Sequence, residues 1–285
     1  MSDLANIKQQ ATGVAIQGVE GCFHQQAAQS FFGKQVQVVC CLSFPELIKK
    51  TADKQQTFAA VMAIENSIAG SILSNYNLLQ SSDLKIVGEV YLHIKQQLLV
   101  FPGVSLADIR EVHSHPMALL QCQQYLQQFN WKFIETEDTA LSARHVLQHK
   151  CKHIAAVAGK FAGDMYGLSV IAPNIHTEKN NYTRFLVLKR AEEATPVADA
   201  NKASVSFQTD HSRGSLARVL TRIAKAGMNL SKLQSSPIPG SDWLYSFHAD
   251  MEFEHVEQFE RLKTNLLQDT TALKVYGVYQ SGKVK

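Results

Sequence analysis

Residues 14–33, VAIQGVEGCFHQQAAQSFFG, decide the class of fold. Residues 14–17 form a short apolar run of strand length, Gly18 and Gly21 mark a turn, and a helix runs from Phe23 to near Gly33. Strand, glycine turn and helix in that order open an α/β unit.

The alternation continues outward. A strand at 36–40 precedes a helix announced by Ser43 and Glu46, which stand at capping-box spacing. Residues 58–64 read as a third buried strand running into Glu65, Asn66, Ser67 and Gly70. A second set follows, with strands at 85–92 and 97–101, a helix opening at Pro116, a strand at 131–134, a helix capped by Asp138 and a buried strand at 154–158. The last strand of the unit, 185–188, carries Thr183 and Arg184 at its entrance, where loop residues meet strand ends. Two α/β lobes facing a cleft fit this order.

Residues 191–201 are polar and contain Pro196, a linker signature. Beyond them come a strand at 203–207, a helix at 216–226 stopped by Gly227, strands at 229–233 and 244–250 around a turn with Pro237, Pro239 and Gly240, a helix at 256–267 and a strand at 273–278. That order, βαββαβ, is the ferredoxin-like split arrangement. The expected limits are therefore 11–190 for the two-lobed part, 191–201 for the linker and 202–280 for the small domain.

With 285 residues and 45% hydrophobic content, the chain is long enough for two globular domains. Its 28 basic and 25 acidic residues leave a formal charge of +3 and form no long block of one sign, so neither nucleic acid nor another charged macromolecule is implied as a partner. The five cysteines, Cys22, Cys40, Cys41, Cys122 and Cys151, have no metal-binding or redox spacing and read as reduced thiols. The polar start (Ser2, Asp3, Asn6, Lys8, Gln9) lacks the apolar core of a secretory signal, and no apolar run reaches membrane-spanning length. A cytoplasmic protein is expected.

Several separated motifs carry a resemblance. The strongest is Asn181, Tyr182, Thr183, Arg184 and Phe185 before apolar residues, preceded by Tyr166, Gly167 and Leu168. Gly18, Glu20, Gly21 and Phe23 lie near the start, followed by Ile64, Glu65, Asn66, Ser67 and Gly70, and then by Ser114, His115, Pro116, Ala118, Leu119, Gln121 and Cys122. In order and spacing these blocks resemble the prephenate dehydratases. The tail, with Gly214, Ser215 and Leu216 at a helix start and Leu230, Ser231, Lys232 and Leu233 before Pro237, is similar to that family's phenylalanine-binding ACT module. The resemblance covers nearly the whole chain. It implies a catalytic part with two lobes like those of periplasmic binding proteins, which decarboxylates and dehydrates prephenate to phenylpyruvate, in phenylalanine synthesis, without metal or cofactor. It further implies L-phenylalanine as effector and assembly into dimers or tetramers.

Prephenate carries two carboxylates and a ring hydroxyl, so the site must hold anions and stabilise a departing oxygen. Arg184 offers a forked pair to a carboxylate, and helix starts after Gly21, near Ser67 and at Pro116 would aim free backbone NH groups at anions. Thr183 resembles the family threonine facing the leaving hydroxyl; read by itself it is an ordinary β-branched strand residue. Asn66 and Ser67 suit helix capping as well as ligand binding. Glu65 reads either as an organiser of the loop or as a solvated acid. Ser114, His115 and Phe185 complete the expected substrate-binding set with Gly21 and Cys22. The expected effector set is Gly214, Ser215, Leu216, Leu233, Gln234, Ser235 and Pro237.

The chain also departs from the family pattern. Cys22 stands where serine or threonine is usual, and a thiol is the weaker donor; at a helix start it is also a conceivable nucleophile. Val19 and Ala63 replace prolines, Gln96 a histidine, and Thr177 an aspartate or asparagine. Gln234 and Ser236 replace an acid and a base beside the retained Ser235 and Pro237, which removes an internal ion pair from the effector loop. Two alternatives stay open on the residues: an arogenate dehydratase, whose substrate bears an amine in place of the ketone, and a two-lobed binding protein without catalysis.

Overall fold

The computed structural model describes residues 13–210, 212–238, 240–241 and 244–282. The polar residues 2–9, positions 11 and 12 of the expected first domain, and Pro239 of the expected turn lie outside the described residues. The chain forms two compact units, one holding residues up to Ser71 together with Val90–Phe185, the other Ile72–Glu89 together with residues from Leu186 onward.

The first unit opens with β1 (Gly13–Gln17), α1 (Phe23–Phe32), β2 (Gln37–Cys41), α2 (Phe44–Ala52), β3 (Ala59–Asn66) and β4 (Gly70–Ser71). Strand β1 is apolar and buried, and it pairs in parallel with β2 (Val14 opposite Val38) and with β3 (Val14 opposite Ala59). Helices α1 and α2 supply the crossovers that parallel pairing demands. Ser43 caps α2 by accepting a bond from Glu46 N at 3.3 Å, as its spacing predicts.

After α3 (Leu73–Ser81) and β5 (Lys85–His93), the second lobe is built from β6 (Gln96–Val100), β7 (Glu111–Ser114), α4 (Pro116–Gln121), α5 (Gln123–Leu126), β8 (Lys132–Glu135), α6 (Thr139–Gln148), β9 (Ile154–Gly159), α7 (Lys160–Met165) and β10 (Ser169–Ala172). Its sheet runs β10-β6-β9-β7-β8. Every residue of the central strand β9 is buried, which accounts for its unbroken run of apolar and small residues. Leu98, Val100, Val112, Ala155 and Val157 join Leu119, Cys122 and Leu126 of the helices in one core. The chain then returns to the first sheet as β11 (Tyr182–Lys189), giving the order β2-β1-β3-β11-β5. Strand β11 thus lies beside β3.

Two expectations are corrected here. No helix starts near Ser67: β3 continues through Asn66 and folds back on β4, with Glu65 opposite Ser71 and Asn66 opposite Gly70. Thr183 and Arg184 lie inside β11 rather than at its entrance, because the strand begins at Tyr182.

The second unit contains β12 (Lys202–Gln208), α8 (Ser215–Lys225), β13 (Asn229–Pro237), β14 (Tyr245–Glu252), α9 (Val256–Leu266) and β15 (Ala272–Tyr279). The antiparallel sheet runs β13-β14-β12-β15, the ferredoxin-like βαββαβ topology read from the pattern. Val219 and Ile223 of α8 and Phe259, Leu262 and Leu266 of α9 pack with Val205, Phe207 and Met251 of the sheet. Gly227 ends α8 with φ of +71°, where a side chain would be strained.

Helix α3 and the first half of β5 belong to this same unit. Lys85 Nζ donates to Val275 O at 2.7 Å, and Lys274 Nζ to Gln80 O at 2.7 Å and Ser82 O at 2.6 Å. Gly277 approaches so closely that a Cβ there would sit 2.1 Å from Ile86 O. Lys202 and Glu89, both shielded from solvent, pair at 3.0 and 3.1 Å, and Ser281 Oγ and Gly282 N donate to the same carboxylate at 3.1 Å. Among the described residues, no helix is long and apolar enough to cross a membrane.

Candidate active site

Successive side chains of an extended strand leave it on opposite faces. Thr183 and Arg184 are neighbours in β11, so they point apart; Thr183 is partly exposed whereas Arg184 is 4% exposed. Thr183 Oγ1 accepts a hydrogen bond from Asn66 Nδ2 at 3.0 Å. That nitrogen also donates to Asn181 Oδ1 at 2.7 Å and Tyr182 O at 3.2 Å, while Asn66 Oδ1 accepts from Ile68 N at 3.0 Å and Ala69 N at 2.9 Å. Engaged at both ends, the amide has one orientation. The buried Asn181 continues the chain by donating Nδ2 to Gln121 Oε1 of α4 at 3.0 Å. The Thr183 oxygen is thus the acceptor in this chain, which leaves its own proton for another group.

Ser67 closes the loop beside it. Its N donates to Tyr182 O at 2.8 Å, and its hydroxyl donates to Asn180 O at 3.0 Å and accepts from Tyr182 N at 2.9 Å. Glu65 is partly buried at the end of β3, two positions before this loop.

A second cluster forms where the turn between β1 and α1 meets the second lobe. Cys22, His115 and Asp138 are the N-cap residues of α1, α4 and α6. Asp138 Oδ1 accepts from Ala140 N at 2.7 Å and Leu141 N at 3.0 Å. Its other oxygen lies against Gly18, where a Cβ would be 2.9 Å from Oδ2 and 3.3 Å from Cys22 Sγ. Gly21, at φ of +87°, abuts α7 and its end; a Cβ there would be 3.4 Å from Ala162 Cα and 3.2 Å from the Tyr166 ring. Tyr166 donates its hydroxyl proton to Glu20 O at 2.5 Å. Both glycines therefore serve close approach as well as backbone conformation.

Burial pushes the Cys22 thiol far above its ordinary pKa, and the Asp138 carboxyl pushes the same way. The thiol donates to Gln17 O at 3.6 Å and stays protonated, so the nucleophile reading is set aside. Burial also raises the Asp138 carboxyl, against the two amide bonds and the charges of His115 and Arg144 that favour its ionised form. His115 Nδ1 accepts from Met117 N at 3.2 Å, capping α4 with its ring.

Other expected site residues are placed elsewhere. Ser114 is fully buried and donates to Val157 O at 2.6 Å, tying β7 to β9 rather than lining a cleft. Phe185 is 1% exposed, with its ring edge-on to His24 at 5.0 Å, and so supports the site from beneath. His24 accepts from Ala63 N, and burial holds its pKa down at about 3.

In the second unit, Gly214 sits at φ of +79° before α8, and Ser215 donates to Thr209 Oγ1 at 3.0 Å. Leu216 packs on the core while Leu233 stays exposed on β13. Gln234 Nε2 donates to Ser235 O at 2.9 Å, and Pro237 ends β13. Ser236 is buried and shares a hydrogen bond with His248 Nε2 at 3.3 Å, and His248 Nδ1 another with Tyr276 OH at 3.1 Å. Where an ion pair was expected to be lost, an uncharged network stands.

Sequence reasoning named Asn181, Gln121 and Tyr166 in motifs without giving them roles, and read Asp138 only as a cap. The signal for Asn181 was available: a second amide two residues before Thr183. Asp138 gave none beyond capping, because its contact with Gly18 joins residues far apart in the chain.

A sequence profile described as prephenate dehydratase matches residues 14–193. The bifunctional chorismate mutase/prephenate dehydratase of Enterobacter agglomerans is 34% identical over 96% of this chain and 72% of its own length. Arogenate dehydratase 2 of Petunia hybrida is 34% identical over 98% of this chain and 75% of its own. Among solved structures, the protein described as GqqA, a novel type of quorum quenching acylases, aligns with a TM-score of 0.85 at 28% identity, covering 94% of this chain and 97% of that one. The prephenate dehydratase of Arthrobacter aurescens in complex with L-Phe aligns at 0.84 with 24% identity, covering 95% and 90%. On the profile match and the near full-length relatives, the chain belongs to the prephenate dehydratase family.

Proposed function

We propose that this protein converts prephenate to phenylpyruvate, carbon dioxide and water in phenylalanine synthesis. The C–C bond to the ring carboxylate breaks and its electron pair enters the ring, while the C–O bond breaks with its pair on oxygen. Hydroxide takes one proton and leaves as water. Aromatisation supplies the driving force, so the reaction calls for no cofactor. The protein must orient the ring and supply a donor to the departing oxygen. The observation that carries the reading is the 3.0 Å bond from Asn66 Nδ2 to Thr183 Oγ1, which makes that oxygen an acceptor and leaves its proton free to be donated to another group.

Helix starts at Cys22 and His115 and the backbone around Gly21 favour the substrate's anionic groups. Glu65 and Ser67 organise the loop. Arg184, buried beside Thr183, steadies the strand and attracts a carboxylate at longer range. The C-terminal unit acts as an ACT module, with L-phenylalanine as effector at Gly214–Leu216 and Leu233–Pro237. The enzyme works in the cytoplasm as a homodimer or homotetramer. The test is phenylpyruvate formation from prephenate by wild type and Thr183→Ala: equal rates remove the role of Thr183, and no product from wild type removes the reading.

The likeness to a quorum quenching acylase adds a second reading, hydrolysis of an N-acyl amide. It is favoured by a groove of about 460 Å3 lined by Ile68, Met117, Leu120 and Gln121, whose last member is joined through Asn181 and Asn66 to Thr183. Release of free amine from an N-acyl amino acid would support it; no release at enzyme concentrations that turn over prephenate removes it.

A further inference from the structure

The lining of the 460 Å3 groove beside α4 has a definite chemistry. Ile68, Met117 and Leu120 form an apolar wall, and all three are exposed, as side chains that wait for a ligand are. The lining contains no lysine or arginine, and its one formal charge is the Glu178 carboxylate, which works against an anion. Lys179, the next residue, spends its ammonium on Asn174 O at 2.8 Å and His176 O at 2.5 Å. Threonine stands at 177, where the family pattern has aspartate or asparagine, so that position adds a hydroxyl and no charge.

The polar end of the groove is oriented from within. Asn66 Oδ1 takes two backbone NH groups, so its Nδ2 faces Asn181 Oδ1; Asn181 Nδ2 then faces Gln121 Oε1, and Gln121 has only its Nε2 donor to offer the groove. Thr177 N donates to Gln121 O at 2.8 Å, which keeps the two residues side by side on the lining. A donor and a hydroxyl acceptor beside an apolar wall match a secondary amide that carries an aliphatic chain: its carbonyl accepts from Gln121, its NH donates to the Thr177 hydroxyl, and its chain lies on Ile68, Met117 and Leu120. A fatty acid would bring a carboxylate toward Glu178, and a plain hydrocarbon would leave the amide of Gln121 unanswered. We propose that the groove is a binding site for neutral N-acyl amides of medium chain length. This deepens the N-acyl amide reading and concerns binding, whether or not the amide is then cleaved.

The test is calorimetric titration of the full chain with N-butanoyl-, N-hexanoyl- and N-octanoylglycinamide and with sodium octanoate. Affinity should rise about fourfold for each added methylene, and octanoate should bind at least tenfold more weakly than the octanoyl amide. Thr177→Val, which removes the hydroxyl and keeps the shape, should weaken the octanoyl amide about two- to thirteenfold. Leu120→Glu should weaken it at least tenfold with an unchanged melting temperature, because Leu120 is 60% exposed and its replacement leaves the core intact. Absence of saturable binding, an affinity independent of chain length, octanoate bound as well as the amide, or variants that bind like wild type would each overturn the proposal. A change of elution volume in gel filtration on Leu120→Glu would overturn it in favour of a contact between copies of the chain. The hydrolytic reading is scored separately by release of free amine: binding with the predicted chain-length dependence and no release keeps this proposal and removes hydrolysis, whereas release that Leu120→Glu leaves unchanged keeps hydrolysis and removes the groove as its site.

Discussion

If Asn66 acts on the chemistry through Thr183, the two cannot be independent. Asn66→Ala deletes the donor 3.0 Å from Thr183 Oγ1 and with it the bonds to Asn181 and Tyr182. A hydrogen bond contributes about 0.5–1.5 kcal/mol net, which corresponds to roughly two- to thirteenfold in rate if only the hydroxyl's orientation is lost. Releasing Asn181 from one of its two side-chain partners loosens the adjoining strand as well, so kcat/KM for prephenate should fall about ten- to hundredfold. Thr183→Ala removes the proton donor itself and should cost about 10² to 10⁴. The double variant should then be slower than Thr183→Ala by less than the full Asn66→Ala factor, because the amide has no hydroxyl left to orient and only the loosened strand still counts. Phenylpyruvate formation by all four proteins, with melting temperatures to show that each is folded, measures the cycle. A double variant slowed by the product of the two single factors, or an Asn66→Ala enzyme with wild-type turnover, would refute the reasoning.

Lys202→Met should destabilise the C-terminal unit by about 3–5 kcal/mol in urea unfolding, since it leaves the buried Glu89 carboxylate without its ammonium partner. Adding Glu89→Leu should restore most of that loss, and a double variant weaker than the single would count against the pairing argument. Gly277→Ala should lower the melting temperature by an amount equivalent to about 1–3 kcal/mol or more, because the new methyl meets a backbone oxygen that has no room to yield. Burial holds His24 at about 3 and His248 at about 4, both below the ordinary imidazole value of 6.5, so each stays neutral when folded. Below pH 6.5 unfolding therefore takes up a proton at each of them, as it does at His145 and His176 of the first unit, which burial also lowers, and stability should be full above pH 6.5 and fall as pH drops from there toward 4. Calorimetry between pH 7 and 5 should show a shallower slope for the first unit in His24→Gln and for the second in His248→Gln.

Much of the fold was legible because its elements are periodic and locally punctuated. The glycine turn after β1, the Ser43 cap and the Gly227 stop are all interactions within a few residues, and each is found as read. Strands β7 and β10 were missed for the opposite reason: each has four residues, and the polar Glu111, His113 and Ser169 break any apolar run. The loop at Ser67 was misread because an asparagine that caps a helix and one that fastens a tight turn look alike in sequence; the fold-back of β3 on β4 decides between them. For the site, motif context brought out Thr183 and Asn66, whereas Ser114 and Phe185 came along as neighbours whose side chains turn inward. Asp138 and Gly18 are 120 positions apart, and only folding makes them adjacent.

The boundary between the units is crossed at three places along the backbone, at 71–72, 89–90 and 185–186. A gene fragment stopped near residue 190 would therefore not be a self-contained catalyst. It would keep α3 and β5 while deleting the chain that shelters Tyr76 and Ile86 and answers the charge of Glu89. Recombination between relatives should succeed more often when residues 72–89 are inherited together with everything after 186 than when the swap is made at one junction in the linker.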